Sequence, residues 1–255
     1  MTNVNDKGSI VTEINSKIAT ITFSHPASNS FPSALLQKLV LEFNQLSSKK
    51  DINIIVLQSS GTGAFCSGAS FDELLSITDF ETGKTFFQGF ANVINAMRKC
   101  SKIIVGKVQG KAVGGGVGLI SACDYAIANK ESSVKLSEIT IGIGPFVIEP
   151  AVSRKIGVSA FSNMTFTPTQ WKTASWAFDK GLYDMVCDTQ QHLDLEVDVF
   201  TKNLSNYNPE ALLELKKVLW KNTENWDELL IERASISGKL VLSKFTKNAL
   251  NQFKK

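Results

Sequence analysis

Between residues 53 and 108 two short apolar runs flank a long one-sided apolar pattern, and this order restricts the fold more than any other feature of the chain. Residues 53–58, with Ile54, Ile55, Val56 and Leu57 in succession, read as a strand buried on both faces. Residues 102–108 read as a second strand. Between them, residues 79–98 carry Phe80, Phe86, Phe87, Phe90, Val93, Ile94 and Met97 at helical spacing. A strand, a crossover helix and a second strand in that order pair in parallel. The surrounding pattern is compatible with this. Residues 10–14 and 17–23 alternate around Asn15-Ser16 as an antiparallel hairpin would, and Pro32 and Ser33 lead into a helical repeat over residues 34–46. After Gly110 the layering recurs, with a glycine-rich helix over 114–122, a strand over 125–128 and an extended piece over 134–136. From about Pro150 onward strands largely vanish and helical patterns dominate, including those at 194–204, 209–220, 226–242 and 242–253. No tandem repeat or low-complexity segment interrupts this order.

Charge and cysteine usage narrow the function classes. With 27 basic and 24 acidic residues among 255, a net charge of +3 provides no dense basic stripe, so no nucleic-acid partner is expected. Lys49-Lys50, Lys216-Lys217 and Lys254-Lys255 read as solvated helix ends. Cys66, Cys100, Cys123 and Cys187 are widely spaced, with no paired motif and no neighbouring His, which suggests neither a zinc site nor a disulfide framework. The first nine residues are polar, and the apolar stretches elsewhere are too short and glycine-rich to cross a bilayer, so a cytoplasmic protein without a membrane partner is expected.

Two small-residue stretches, each after an expected strand, are candidates for chemistry. In Ala64-Phe65-Cys66-Ser67-Gly68-Ala69-Ser70-Phe71 the backbone N–H groups are unshielded by bulk. In residues 110–119, Gly114-Gly115-Gly116 opens a helix whose first N–H groups have no partner within the helix. Taken singly, each stretch reads first as close helix–sheet packing rather than as a ligand site. A phosphate loop is excluded because residues 106–111 hold one residue too few between their glycines and Ala112 stands where Ser or Thr is needed. A dinucleotide fingerprint is excluded as well, since Gly110-Lys111-Ala112 does not begin the required glycine pattern and no acidic residue follows at the right distance.

Taken together, Ser24-His25-Pro26-Ala27-Ser28-Asn29-Ser30, residues 64–69, Gly114-Gly115-Gly116 with Cys123-Asp124, and Leu136-Ser137-Glu138-Ile139-Thr140-Ile141-Gly142 resemble the crotonase (enoyl-CoA hydratase/isomerase) superfamily along nearly the whole chain. Phe245 with Phe253 resembles the family's closing helix. The resemblance implies an α/β fold, a crotonase-like spiral of repeated ββα units over 1–190, with a helical C-terminal region over 191–255 that packs against a neighbouring subunit. It implies an acyl-CoA thioester substrate, a homotrimer or hexamer, and no metal or redox cofactor, coenzyme A arriving as part of the substrate. Ala69 and Gly115 would donate two backbone N–H groups to the thioester oxygen. Donors placed where charge develops can be worth roughly 3–4 kcal/mol each, and backbone donors need small residues around them. Ala64 and Cys66, with Ala69, would line the coenzyme A path, and Gly68, Phe71, Gly114, Gly118, Phe146 and Phe245 would contact substrate.

Glu138 matches the family's acid/base position. Hydratase members carry a second Glu where this chain has Gly118, and dienoyl-CoA isomerases and hydroxyisobutyryl-CoA hydrolases carry an acid where it has Phe146. Movement of a double bond by a single Glu is therefore the leading expectation. Hydration, thioester hydrolysis (the hydrolases share Gly at 118) and acyl-CoA binding without turnover are the alternatives, with Glu149 a possible substitute acid against a plainer role as a helix cap. His25 is read as stabilising its loop rather than touching nucleotide, and His192 as exposed at the start of a late helix. Asp124 is read as structural, Asp72 and Glu73 as caps of a short helix, and Trp171, Trp176, Phe178, Trp220 and Trp226 as core or subunit contacts.

Overall fold

A computed structural model describes residues 7–252. The first six residues, Phe253 of the expected closing helix and the Lys254-Lys255 pair lie outside the described residues. The strands are β1 (Ser9–Asn15), β2 (Ile18–Ser24), β3 (Ile54–Ser59), β4 (Ile103–Val108), β5 (Ala112–Val113), β6 (Tyr125–Asn129), β7 (Ser133–Lys135), β8 (Lys172–Thr173) and β9 (Met185–Cys187). The helices are α1 (Ser33–Ser48), α2 (Phe71–Ser76), α3 (Phe80–Lys99), α4 (Gly115–Ala122), α5 (Glu149–Phe166), α6 (Ala174–Asp179), α7 (Gln190–Ser205), α8 (Pro209–Leu219), α9 (Trp226–Leu240) and α10 (Lys244–Asn251), with a 3-10 turn at Glu138–Ile141.

Six strands form the main sheet in the order β1-β2-β3-β4-β6-β9, antiparallel only between β1 and β2. The expected parallel pairing is present, with Ile54 opposite Ile103 and Val56 opposite Val105. The hairpin turn falls one residue later than the sequence pattern predicts. Asn15 pairs with Ile18, so Ser16-Lys17 form the turn, and Ser16 takes φ of 54°. Register is set by β2, which buries Ala19, Ile21 and Phe23 on one face; a one-residue slip would turn all three to the other side.

Successive side chains of a strand leave opposite faces, and each face is covered. Ile55, Leu57 and Ile104 pack with Leu35, Leu36 and Leu39 of α1 and with Val93, Ile94 and Met97 of α3. Ile54, Val56, Ile103 and Ile127 pack on the other side with Leu193 and Val197 of α7 and Leu212 of α8. α7 and α8 therefore cover the sheet of their own chain. α9 also folds back onto α3 at backbone contact, since a Cβ on Gly83 would fall 2.9 Å from the Gly238 oxygen and one on Gly238 would fall 2.5 Å from the Lys84 nitrogen.

Helices dominate from Glu149 onward as the sequence pattern predicts, with only the short strands β8 and β9 among them, and Gly157, at φ of 74°, kinks α5. One expectation needs correction. Lys216 is not a solvated helix end. Its Nζ donates to the Asp124 carboxylate at 2.9 Å and to the Lys102 carbonyl at 2.8 Å, and both partners of the ion pair keep only 3% of their side-chain exposure. Asp124 also accepts from the Ile104 N–H at 2.8 Å and the Trp220 indole N–H at 2.7 Å, which pins α8 to the start of β4. No helix among the described residues is long and apolar enough to cross a membrane.

Candidate active site

A short second sheet, β5-β7-β8, sits where the two glycine-rich stretches meet. Residues 66–69 are stitched on one edge to Ala112 and on the other to Phe31. On the Phe31 edge, the Phe31 N–H donates to the Gly68 carbonyl at 2.8 Å and the Ser70 N–H donates to the Phe31 carbonyl at 3.1 Å. In a parallel ladder the residue facing this pair directs its own N–H to the opposite side. That residue is Ala69, and no acceptor among the described residues takes its N–H. Gly115 is the first residue of α4, so its N–H has no partner in the helix. Gly114 before it is held at φ of 54° by its N–H, which donates to the Lys135 carbonyl at 3.0 Å. The two stretches are in contact, because a Cβ on Gly68, whose φ is 88°, would lie 2.9 Å from the Val113 oxygen and 3.4 Å from the Gly115 nitrogen.

Each glycine of the triplet is demanded by a different neighbour. A Cβ on Gly114 would stand 2.7 Å from Glu138 Oε1, one on Gly115 2.3 Å from the Phe90 ring, and one on Gly116 2.7 Å from the Cys66 oxygen. Glu138 is thus set beside the start of α4 by β7 and the 3-10 turn that follows it, which ends at Gly142 in the left-handed region. As a residue Glu138 is half-buried, but its Oε2 is sealed from solvent and has no hydrogen-bond partner. Burial pushes its carboxyl from 4.5 up to about 7, opposed in part by the N–H groups of Glu138 and Ser137.

Ala69, Gly115 and Glu138 line one cavity of about 650 Å³ measured out to its open mouth. Gly68, Phe71, Gly114 and Phe146 line it too. The remaining walls are mostly apolar, including Phe87 and Phe90 from α3, Ile141, Ile143 and Ile148, with Ser67, Ser137 and Ser237 among them. Among the described lining residues only Glu138 titrates.

Four expected contacts are placed elsewhere. Ala64 is outside the lining, and its carbonyl accepts from Asn29 Nδ2 at 2.8 Å, which ties the loop before the first stretch to the one after β2. The Cys66 side chain is wholly buried in the core and burial drives its thiol up to about 12, so it offers no surface to a ligand. Phe245 is 65% exposed and rests on Gly142 outside the cavity. Gly118 is buried within α4, and Ile148 occupies the space that a side chain there would need: a Cβ would meet Ile148 Cγ2 at 2.4 Å. The Phe146 ring lies against Gly144.

Glu149 does not line the cavity; it stands 4.0 Å from the Arg233 guanidinium, in the first turn of α5. Glu73 does not cap its own helix. Ser70 does so, and Glu73 Oε2 instead accepts from the N–H and hydroxyl of Ser33 at 2.9 and 2.7 Å, capping α1. His25 Nδ1 accepts from the Ala27 N–H at 3.2 Å and pairs with the Ser30 hydroxyl at 3.0 Å, a loop-stabilising arrangement. His192 is exposed and 3.4 Å from Glu196. Sequence reasoning missed Ile148, Ser237 and the two phenylalanines as cavity walls. Phe87 and Phe90 are legible as a helix face, but nothing in the chain says that this face reaches Gly115.

The described residues hold no cluster of His, Cys, Asp or Glu suited to a metal ion. The profile of the enoyl-CoA hydratase/isomerase family matches residues 13–251. A short-chain-enoyl-CoA hydratase from Clostridium acetobutylicum is 25% identical over 77% of this chain and 76% of its own length. A peroxisomal Delta(3,5)-Delta(2,4)-dienoyl-CoA isomerase from Arabidopsis thaliana is 25% identical over 76% of this chain and 70% of its own. Among solved structures, an enoyl-CoA hydratase from Bacillus halodurans superposes with a TM-score of 0.89 at 24% identity, over 95% of this chain and 99% of that one.

Proposed function

Because this chain belongs to the enoyl-CoA hydratase/isomerase family, whose members are lyases or isomerases, we propose that it moves the double bond of a 3-enoyl-CoA ester to the 2,3 position with Glu138 as its single base. The observation that carries this reading is the pairing of one titratable lining side chain with an apolar plug, Ile148, at the second-carboxylate position beside Gly118.

The Glu138 carboxylate removes a proton from C2 of the thioester, and the bond electrons pass through the carbonyl carbon onto the thioester oxygen. That oxygen is received by the N–H groups of Ala69 and Gly115, which have no acceptor among the described residues to give up. The start of α4 adds the positive end of its dipole. The protonated Glu138 then delivers the same proton to C4, the electrons return from oxygen, and the double bond stands between C2 and C3. A carboxyl near neutrality suits a group that must be base in one half of the reaction and acid in the other. Coenzyme A enters and leaves as part of the ester, and the chain's own residues carry every proton transfer.

Hydration of a 2-enoyl-CoA ester is the second reading, favoured by the hydratase activity of the Clostridium relative. It requires Glu138 alone to activate a water without a second carboxylate to orient it. Product analysis on 2-enoyl-, 3-enoyl- and 3-hydroxyacyl-CoA esters separates the two. The expected result is interconversion of the enoyl esters, with kcat falling about 10²–10⁴-fold in Glu138→Gln and ester binding retained. Unchanged activity in that variant would remove Glu138 from the mechanism, and a 3-hydroxyacyl product from the wild type would replace isomerisation by hydration.

A further inference from the structure

Ser237 is the feature of the cavity that the proton shuttle does not use. It lies on α9, keeps 1% of its surface, and lines the same cavity as Glu138. Its hydroxyl neither donates to nor accepts from any described residue. By contrast Ser235, two residues earlier, donates to the Ile231 carbonyl at 3.0 Å, and Ser67 of the cavity wall donates to the Ala27 carbonyl at 3.1 Å. Ser237 is also rigidly placed, since Gly238 beside it is locked at backbone contact with Gly83 and Lys84 of α3. Of the residues lining the cavity, Phe71 is 40% exposed whereas Ser237 is sealed from bulk solvent.

Resting on the acyl-CoA reading above, we propose that Ser237 selects the acyl chain, and that the preferred thioester carries an oxygen function, keto or hydroxyl, on the chain beyond the reacting carbons. Apolar pockets owe their specificity to the few polar groups in them. A plain alkyl chain that reaches Ser237 displaces water from its hydroxyl and leaves it unpaired, which weakens binding. A chain with an oxygen at the right carbon replaces the lost water, accepting from the hydroxyl as a ketone or exchanging hydrogen bonds with it as an alcohol. The asymmetry arises because an unmade buried hydrogen bond costs more than a made one gains over water. Ile148, Phe87 and Phe90 provide no competing polar partner.

The test is calorimetric binding of saturated six-carbon CoA esters, which have no double bond to move and so report on the pocket independently of Glu138. The panel is the hexanoyl, 5-oxohexanoyl, 5-hydroxyhexanoyl and 6-hydroxyhexanoyl esters, measured against wild type, Ser237→Ala and Ser237→Cys. At least one oxygenated ester is expected to bind wild type about tenfold more tightly than the hexanoyl ester. Ser237→Ala should erase that preference while leaving hexanoyl binding unchanged or tighter, and Ser237→Cys, nearly isosteric but a weak donor, should fall between. An unaltered order of affinities across the three proteins overturns the assignment. So does an equal weakening of all four esters in Ser237→Ala, which is what a merely structural serine would produce. Failure of wild type to bind any ester overturns the acyl-CoA reading itself, and this inference with it.

Discussion

Replacing Glu138 by Gln tests the site through stability alone, without a substrate. The carboxyl is sealed beside Gly114 with an unpartnered Oε2, and its pKa rises from 4.5 to about 7 on folding. The folded state therefore holds its proton across a pH range in which the unfolded chain has released it, and stability present below 4.5 is lost as pH rises through about 7. With 1.36 kcal/mol for each pH unit between the two values, the deficit reaches about 3 kcal/mol above pH 8 and is under about 1 kcal/mol at pH 5. Gln has nearly the same shape and cannot ionise. Its advantage over Glu, measured by urea unfolding, should grow by about 2–3 kcal/mol between pH 5 and pH 8. Any fixed cost of the amide cancels in that comparison, as do the titrations of all other groups. A difference that stays flat to within about 1 kcal/mol would mean that the carboxylate is solvated in the folded protein, and the argument for a tuned base would fail.

The same shift sets the acidic limb of kcat/KM for the wild type, which should fall below about pH 7 as Glu138 takes up its proton; a limb near pH 4 would exclude it. Gly68→Ala places a methyl group 2.9 Å from the Val113 oxygen and 3.4 Å from the Gly115 nitrogen at φ of 88°, and should cost at least about 10²-fold in kcat/KM, checked by steady-state kinetics. Gly118→Glu alone should destabilise the protein by about 1–3 kcal/mol through its clash with Ile148. Combined with Ile148→Ala it should recover stability and acquire measurable hydration of 2-enoyl-CoA esters, detected as a 3-hydroxyacyl product. Asp124→Asn strands the Lys216 ammonium in the core and should cost about 3–5 kcal/mol in urea unfolding, with Asp124→Asn/Lys216→Met regaining part of the loss.

Much of this molecule is readable from its residues one at a time. Four consecutive apolar residues at 54–57 require a strand covered on both faces, and the one-sided helix that follows requires a parallel crossover; β3, α3 and β4 are that unit. Gly114-Gly115-Gly116 announces a helix start with free N–H groups, and the motif around Glu138 announces a carboxylate. These are local statements, because period, glycine and missing hydrogen-bond partners are properties of a short stretch of chain. Lys216 shows the limit of that reading. Beside Lys217 it looks like solvated charge, and only the approach of α8 to Asp124, 92 residues away, reveals a buried ion pair.

The cavity has the same limit. Cys66 and Gly118 belong to the right motifs, yet the first is turned into the core and the second is walled off by Ile148. Ser237 reaches the cavity because α9 folds back onto α3, where Gly238 meets Gly83, 155 positions earlier, a contact no local period encodes. Sequence alone determined which backbone groups and which carboxylate could act. Tertiary structure decided what surrounds them, because exclusion of water, the raised carboxyl of Glu138 and the polarity of the acyl pocket depend on atoms brought from distant segments into a few ångströms of one another.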